Sequence, residues 1–298
     1  MSQLQGRTHA SAVAAAGTAT IAATASSSQD IRGRRIRPTL SVVTAARIRR
    51  ALSRALPRPV SDGLRSLAEG LLYPQDLTMA DRKIYESVAP YTMTSVERIL
   101  TLAAYVRSVV ARGVPGDFVE CGVWRGGSSM CIARTLLECG VSDRHLFLFD
   151  TYQGMTAPTN ADVSLRGERV SGAFPGASES PRAGAYSLTS LSEVRENLRS
   201  TGYAEQRMHF VPGPVEETIP EAAPQRIALL RLDTDWYEST IHELRHLYER
   251  VSPGGIVIVD DYGHWAGCRQ AVDEFLATLD VVPVLHRIDY TCRSFVRP

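Results

Sequence analysis

The sequence contains no C-x-x-C pair. Its five cysteines, Cys121, Cys131, Cys139, Cys268 and Cys292, are odd in number and scattered, which argues against a disulfide framework or a zinc knuckle and suits a reducing cytoplasm. No run of about 18 apolar residues is free of charge, so an ordinary membrane span is excluded. The Ala/Thr/Ser tract 10–28 lacks the basic lead and apolar density of a secretory signal and reads as a disordered leader. No G-x-G-x-x-G is present, which weighs against a nicotinamide oxidoreductase. Lysine is almost missing as well: Lys83 stands alone, a bias of genome composition rather than of mechanism.

What remains is a chain of 298 residues, 44% hydrophobic, long enough for one large core and a modest appendage. The overall charge of +1 conceals an asymmetry, because residues 1–60 hold ten arginines against Asp30 alone and the remainder is acidic. In SVVTAARIRRALSRAL, Val43, Ile48, Leu52 and Leu56 form an apolar stripe on a basic helix. No aromatic residue interleaves the arginines, so docking on the acidic body or on a second subunit is favoured over contact with nucleic acid or an anionic membrane. Three regions are expected: a low-complexity, basic and partly disordered extension at 1–60, a helical cap over 61–115, and a main domain over 116–298.

Helical patterns run over 61–72, 81–88 and 95–111, and Thr94 stands three residues before Glu97 in the arrangement of a capping box, ahead of an apolar stripe of Val96, Leu100, Ala103 and Ala104. From Asp117 onward strands and helices alternate, which predicts an α/β fold with a doubly wound, mainly parallel sheet whose carboxyl edge binds ligands. The last segments, 281–288 and 291–296, read as an antiparallel hairpin at the sheet edge, in the manner of nucleotide-dependent methyltransferases. Residues 156–185 are rich in Gly, Pro, Ser and Ala and read as a lid or binding loop, or else as a disordered segment.

Four acids carry the chemistry. Asp233 and Asp235 follow one apolar strand in RIALLRLDTDWYEST, and Asp260 and Asp261 follow another in GGIVIVDDYGHW. Adjacent strands would bring these carboxylates together, and three of them at one point call for a hard cation such as Mg²⁺, with the fourth free to accept a proton. Upstream, GDFVECGVWRGGSS runs strand, glycine turn, helix. Gly122 admits a close ligand, Ser128 can cap the helix, and Glu120 at the strand end can hold a cationic or hydroxyl-bearing group. Ordinary strand-to-helix geometry explains the glycines equally well. Asp150 in HLFLFDTYQGM either bonds ribose hydroxyls or caps the next turn, and Tyr152 and Met155 offer an apolar wall or core packing.

Taken together, YTMTSVERI, ECGVWRGGSS, FDTYQGM, FVPGPVEET, LRLDTDWYEST and GGIVIVDDYGHWAGCRQAVDEF resemble the macrocin O-methyltransferase family over about residues 76–298, in the family's order. The resemblance implies a class I methyltransferase, Rossmann-like fold with an N-terminal helical extension. It implies S-adenosylmethionine and Mg²⁺ as cofactors and a sugar hydroxyl of a glycosylated natural product as acceptor. It further implies that Thr92, Met93, Glu120, Cys121, Gly122, Val123, Trp124, Asp150, Thr151, Tyr152, Gln153 and Gly154 line the S-adenosylmethionine pocket. Asp233, Asp260 and Asp261 would bind the metal, and Asp235 would be the general base, with His242 or His264 as the next candidates. His264 and Trp265 are also candidate acceptor contacts. A catechol-type methyltransferase and a noncatalytic cofactor-binding protein are the alternatives. The partner is a small-molecule glycoside, with no nucleic acid expected, and a homo-oligomer in the cytoplasm is the expected state.

Because the resemblance begins near residue 76, deletion of residues 1–30 is expected to leave methyl transfer nearly intact. A truncated protein that folds but is inactive would contradict this.

Overall fold

In the computed structural model the residues described are 77–169 and 189–298. They belong to the unit Gln75–Pro298, which separates from Met1–Pro74. The leader, the basic helix, the 61–72 pattern and the second half of the glycine-rich loop lie outside the described residues.

Two helices open the described chain, α1 (Met79–Val88) and α2 (Val96–Ala111). They lead into β1 (Asp117–Cys121), α3 (Gly127–Glu138) and β2 (Leu146–Asp150). Next come α4 (Leu191–Arg199), β3 (Met208–Pro212), the short α5 (Val215–Thr218) and β4 (Ile227–Leu232). The chain closes with α6 (Tyr237–Leu247), β5 (Val251–Val259), α7 (Ala266–Leu276), β6 (His286–Arg287) and β7 (Arg293–Val296). The seven strands line up as β3-β2-β1-β4-β5-β7-β6, with β7 antiparallel to both neighbours and the rest parallel. The order reverses between β1 and β4, the switch point where open α/β sheets bind ligands.

Side chains alternate across this sheet. Val119, Cys121, Leu230, Leu232, Val257 and Val259 join α6 and α7 in one apolar cluster. The alternate positions Glu120 and Arg231 are paired in register on the opposite face, and Arg231 stands beside Ile258. Two residues further along the two strands, period two returns Asp233 and Asp260 to the face of Arg231. The polar site is thus a continuation of the strand pattern.

Several local expectations shift. Ser95, not Thr94, caps α2, accepting from the Arg98 backbone N–H at 3.2 Å, while Thr94 pairs with Thr92. With the start moved by one residue, the buried stripe becomes Val96, Ile99, Leu102, Ala103, Val106 and Val109, and Ala104 is exposed. A capping box does occur, one helix earlier, between Thr78 and Asp81 at α1. Ser128 does not cap α3, because left-handed Gly126 takes that position and Ser128 lies buried in the first turn. The final hairpin is antiparallel as expected but short, since Pro283 can donate no ladder hydrogen bond. Val281, Val282 and Val284 are left exposed outside it.

Candidate active site

A cavity of about 370 Å³ opens at the carboxyl edge of the sheet, over the switch point. Nine of the twelve residues expected around the cofactor line it: Thr92, Met93, Glu120, Gly122, Val123, Trp124, Asp150, Thr151 and Gly154. Cys121 is fully buried in the core cluster, and Gln153 turns outward. The Tyr152 ring points inward with its hydroxyl donating to the Leu148 carbonyl at 3.0 Å, so Met155 alone of the expected wall pair faces the cavity.

Gly122 has φ of 81°, and any Cβ there would collide with the Asp233 carbonyl oxygen. This closeness joins the ends of β1 and β4, where the Asp233 N–H also donates to the Cys121 carbonyl at 2.8 Å. Asp150 organises the adjacent loop. One of its oxygens accepts the backbone N–H groups of Val123 and Trp124 at 2.7 and 2.9 Å, and the other accepts that of Tyr152 at 2.7 Å. The turn-capping reading of Asp150 therefore holds, and it fixes the loop lining this side of the cavity. Among the described residues, Trp124, Tyr152 and Asp235 are the non-glycine positions with positive φ. All three follow strands β1, β2 and β4 at this edge, the kind of place where backbone strain is retained for function.

At the other end lie the four aspartates. Carboxylate oxygens of Asp233, Asp235 and Asp261 fall within 4.8 Å of one another. Asp260 is enclosed and held differently, with one oxygen on Arg231 at 2.8 Å and the other on Arg98. Arg231 also reaches Glu120 at 2.7 Å and Asp233 at 2.8 Å, and Glu120 takes a second bond from the Ser129 hydroxyl. Arg98, from α2, spans to Asp289 at 3.0 Å. The sequence reading left these acids without charge partners. Arginines 98 and 231 were missed, although the lone arginine inside the apolar run IALLRL was a visible signal for a buried ion pair.

Burial lifts Glu120 to about 7 against the pull of Arg231. Asp260 rises to about 6 through burial and the charge of Asp233. Asp235 rises to about 7, mainly through burial and the nearby charges of Asp233 and Asp260, while its bond with Asp261 pulls the other way. Asp261 is pushed well above the ordinary range by burial and the charge of Asp235. One oxygen of Asp261 is buried with no hydrogen-bond partner. Converging oxygens, one of them unsatisfied, suit a hard divalent cation, so the donor set fits Mg²⁺.

His264 and Trp265 line the same cavity, with His264 Nδ1 and the Tyr290 hydroxyl 3.0 Å apart. His242 does not; it sits on α6 with Nε2 at 3.0 Å from the Ile219 carbonyl. The described half of the glycine-rich loop packs beside this end. Ser164 bridges to Trp265, the Leu165 N–H donates to His264, and the Tyr237 N–H donates to Asp162 at 2.8 Å.

Residues 80–297 match the family model for macrocin O-methyltransferases. The chain belongs to the macrocin O-methyltransferase family. It is an O-methyltransferase, and its relatives bear this out. It is 36% identical over 199 residues to the demethyldecarbamoylnovobiocin O-methyltransferase of Streptomyces niveus, covering 67% of this chain and 72% of that one. Identity is also 36% over 211 residues with the 8-demethyl-8-(2,3-dimethoxy-alpha-L-rhamnosyl)-tetracenomycin-C 4'-O-methyltransferase of Streptomyces olivaceus, covering 70% and 75%. The solved O-methyltransferase NovP superposes with a TM-score of 0.60 at 35% identity, over 70% of this chain and 82% of that one. The fold is that of the class I methyltransferases, and no helix among the described residues is long and apolar enough to cross a membrane.

Raised carboxyl groups give this family member a defined pH response. Glu120, Asp235 and Asp260 bind protons more tightly folded than unfolded, where an acid titrates near 4. Their stabilising contribution is full below pH about 4 and is lost as pH rises through about 6 to 7. A cation that binds the folded state opposes that loss. Mg²⁺ is therefore expected to raise the melting temperature more at pH 8 than at pH 5 in scanning calorimetry. A pH-independent shift would contradict the cluster as its site.

Proposed function

We propose that the protein transfers a methyl group from S-adenosylmethionine to a sugar hydroxyl of a glycosylated natural product, with Mg²⁺ as second cofactor. The observation that carries this reading is the convergence of the Asp233, Asp235 and Asp261 oxygens at one end of a cavity whose other end is built from the loops after β1 and β2. The rhamnosyl group in the name of the Streptomyces olivaceus relative supports a sugar acceptor. The five cysteines are free, in keeping with a reducing cytoplasm.

S-adenosylmethionine supplies an electrophilic methyl group on sulfur. Thr92, Met93, Val123, Trp124 and the Asp150–Gly154 loop would hold it, with Asp150 keeping the loop in shape through its three backbone N–H bonds. Asp233, Asp260 and Asp261 would hold Mg²⁺, which when bound would supply charge stabilisation to an oxygen losing its proton. Asp260 joins this set although both of its oxygens face arginines, because each carboxylate oxygen keeps a second lone pair. Asp235, itself one of the three converging acids, would accept the hydroxyl proton. His264 and Tyr290 line the wall of the same cavity and would contact the acceptor. Alignment of oxygen, methyl carbon and sulfur supplies a further several kcal/mol, about the gain of an oriented intramolecular reaction.

Chelation is expected to abolish turnover on a glycoside panel monitored by mass spectrometry, and Mg²⁺ to restore it. Asp235→Asn is expected to keep near-normal S-adenosylmethionine and Mg²⁺ affinity while the single-turnover rate falls about 10² to 10⁴-fold. Near-wild-type chemistry in that variant would remove Asp235 as the base and leave His264 as the candidate. Collapse of Mg²⁺ affinity would make Asp235 a ligand instead.

A further inference from the structure

Glu243 is a carboxyl group that the chemistry above does not use. It lies on α6, is 0% exposed, and forms no ion pair among the described residues. Its Oε1 accepts a hydrogen bond from the Thr234 hydroxyl at 3.0 Å, the Cys121 thiol lies against the same carboxyl, and Oε2 has no hydrogen-bond partner. Burial, against the pull of the Thr234 hydroxyl, holds it well above the ordinary range, with the charges of Glu216 and Asp233 adding to the effect. An enclosed acid without a cation is costly, and an apolar residue of similar volume would pack there more cheaply.

What Glu243 holds is Thr234, the residue between Asp233 and Asp235 in the turn after β4. Asp233 is pinned by its backbone to β1, through its N–H to the Cys121 carbonyl and its carbonyl against Gly122. The Thr234 carbonyl accepts the Trp236 N–H at 2.8 Å, and the Ser239 hydroxyl lies 3.4 Å from it. Asp235 then turns left-handed at φ 69°, a conformation that a β-carbon disfavours. The Thr234 side chain bonds only to Glu243 among the described residues.

We propose that Glu243 is a positioning residue that, through the Thr234 hydroxyl, fixes the Asp233–Asp235 turn in the conformation that brings the carboxylates of Asp233, Asp235 and Asp261 together. The inference rests on the reading of that cluster as the reactive end of the cavity. Its effect is indirect, since Glu243 does not line the cavity.

The test uses the full chain and four readouts: far-ultraviolet circular dichroism, Mn²⁺ affinity, S-adenosylhomocysteine affinity, and the single-turnover rate. Thr234→Val and Glu243→Ala are expected to stay folded and bind S-adenosylhomocysteine as the unaltered protein does, but to lose about tenfold or more in Mn²⁺ affinity and single-turnover rate, as supporting partners of metal ligands do. Glu243→Gln keeps the acceptor for Thr234 and is expected to recover both to within about threefold of the unaltered protein. Unchanged Mn²⁺ affinity and rate in Thr234→Val, a parallel loss of S-adenosylhomocysteine affinity, or a Glu243→Gln as impaired as Glu243→Ala would each overturn the inference. Should Glu243→Ala fail to fold, Thr234→Val decides. Absence of Mn²⁺ binding by the unaltered protein overturns the metal reading alone, and the single-turnover rate of Thr234→Val then decides the role of Glu243.

Discussion

A single enclosed guanidinium holds the working edge of this sheet together. Arg231 sits near the end of the central strand β4 and bonds carboxylates belonging to three neighbouring strands, Glu120 of β1, Asp233 beyond β4 and Asp260 beyond β5. Burying an ion costs several kcal/mol, which is offset only when geometry and hydrogen bonding are good, and removing one partner of such a set costs about 3 to 5 kcal/mol. Register supplies the geometry here: Glu120 is the direct neighbour of Arg231, and the two aspartates follow by the period of two. Arg98 then ties α2 to Asp260 and to Asp289, so the helix that follows Thr92 and Met93 is anchored to the far end of the cavity.

This arrangement divides the acids into two groups. Glu120 and Asp260 are enclosed and bonded to arginine, while Asp235 and Asp261 face each other at the cavity with little positive charge in contact. Asp233 belongs to both groups, bonded to Arg231 yet within reach of the other two. Charge that the protein does not itself neutralise is left where a cation and an acceptor hydroxyl would come. The arginine set makes the edge rigid, and the open set makes it reactive.

Much of this was legible in the sequence, for physical reasons that also explain the gaps. The alternation of strand and helix patterns and the four acids at strand ends depend on local periodicity, which one sequence displays directly. The partnership of Arg98 with Asp260 joins residues far apart in the chain, and no spacing rule reports it. Arg231 was detectable as a charge within an apolar strand and was passed over. Ser95 and Thr94 are both good caps, so choosing between them needed the burial of Ile99 and Leu102. Tyr152 had two readings, and the structure favours core packing because the Leu148 carbonyl is within bonding distance, while Asp150 caps the loop N–H groups and also lines the cavity.

Crystals grown with Mn²⁺ and S-adenosylhomocysteine test the central claim most directly, through the anomalous signal of the metal. The account predicts one peak at the sheet edge in contact with Asp233, Asp260 and Asp261, with Arg231 still bonded to Glu120 and Asp235 beside the ion but not ligating it. No peak at that edge, or an ion ligated by Asp235 while Asp260 stays wholly with its arginines, would contradict it.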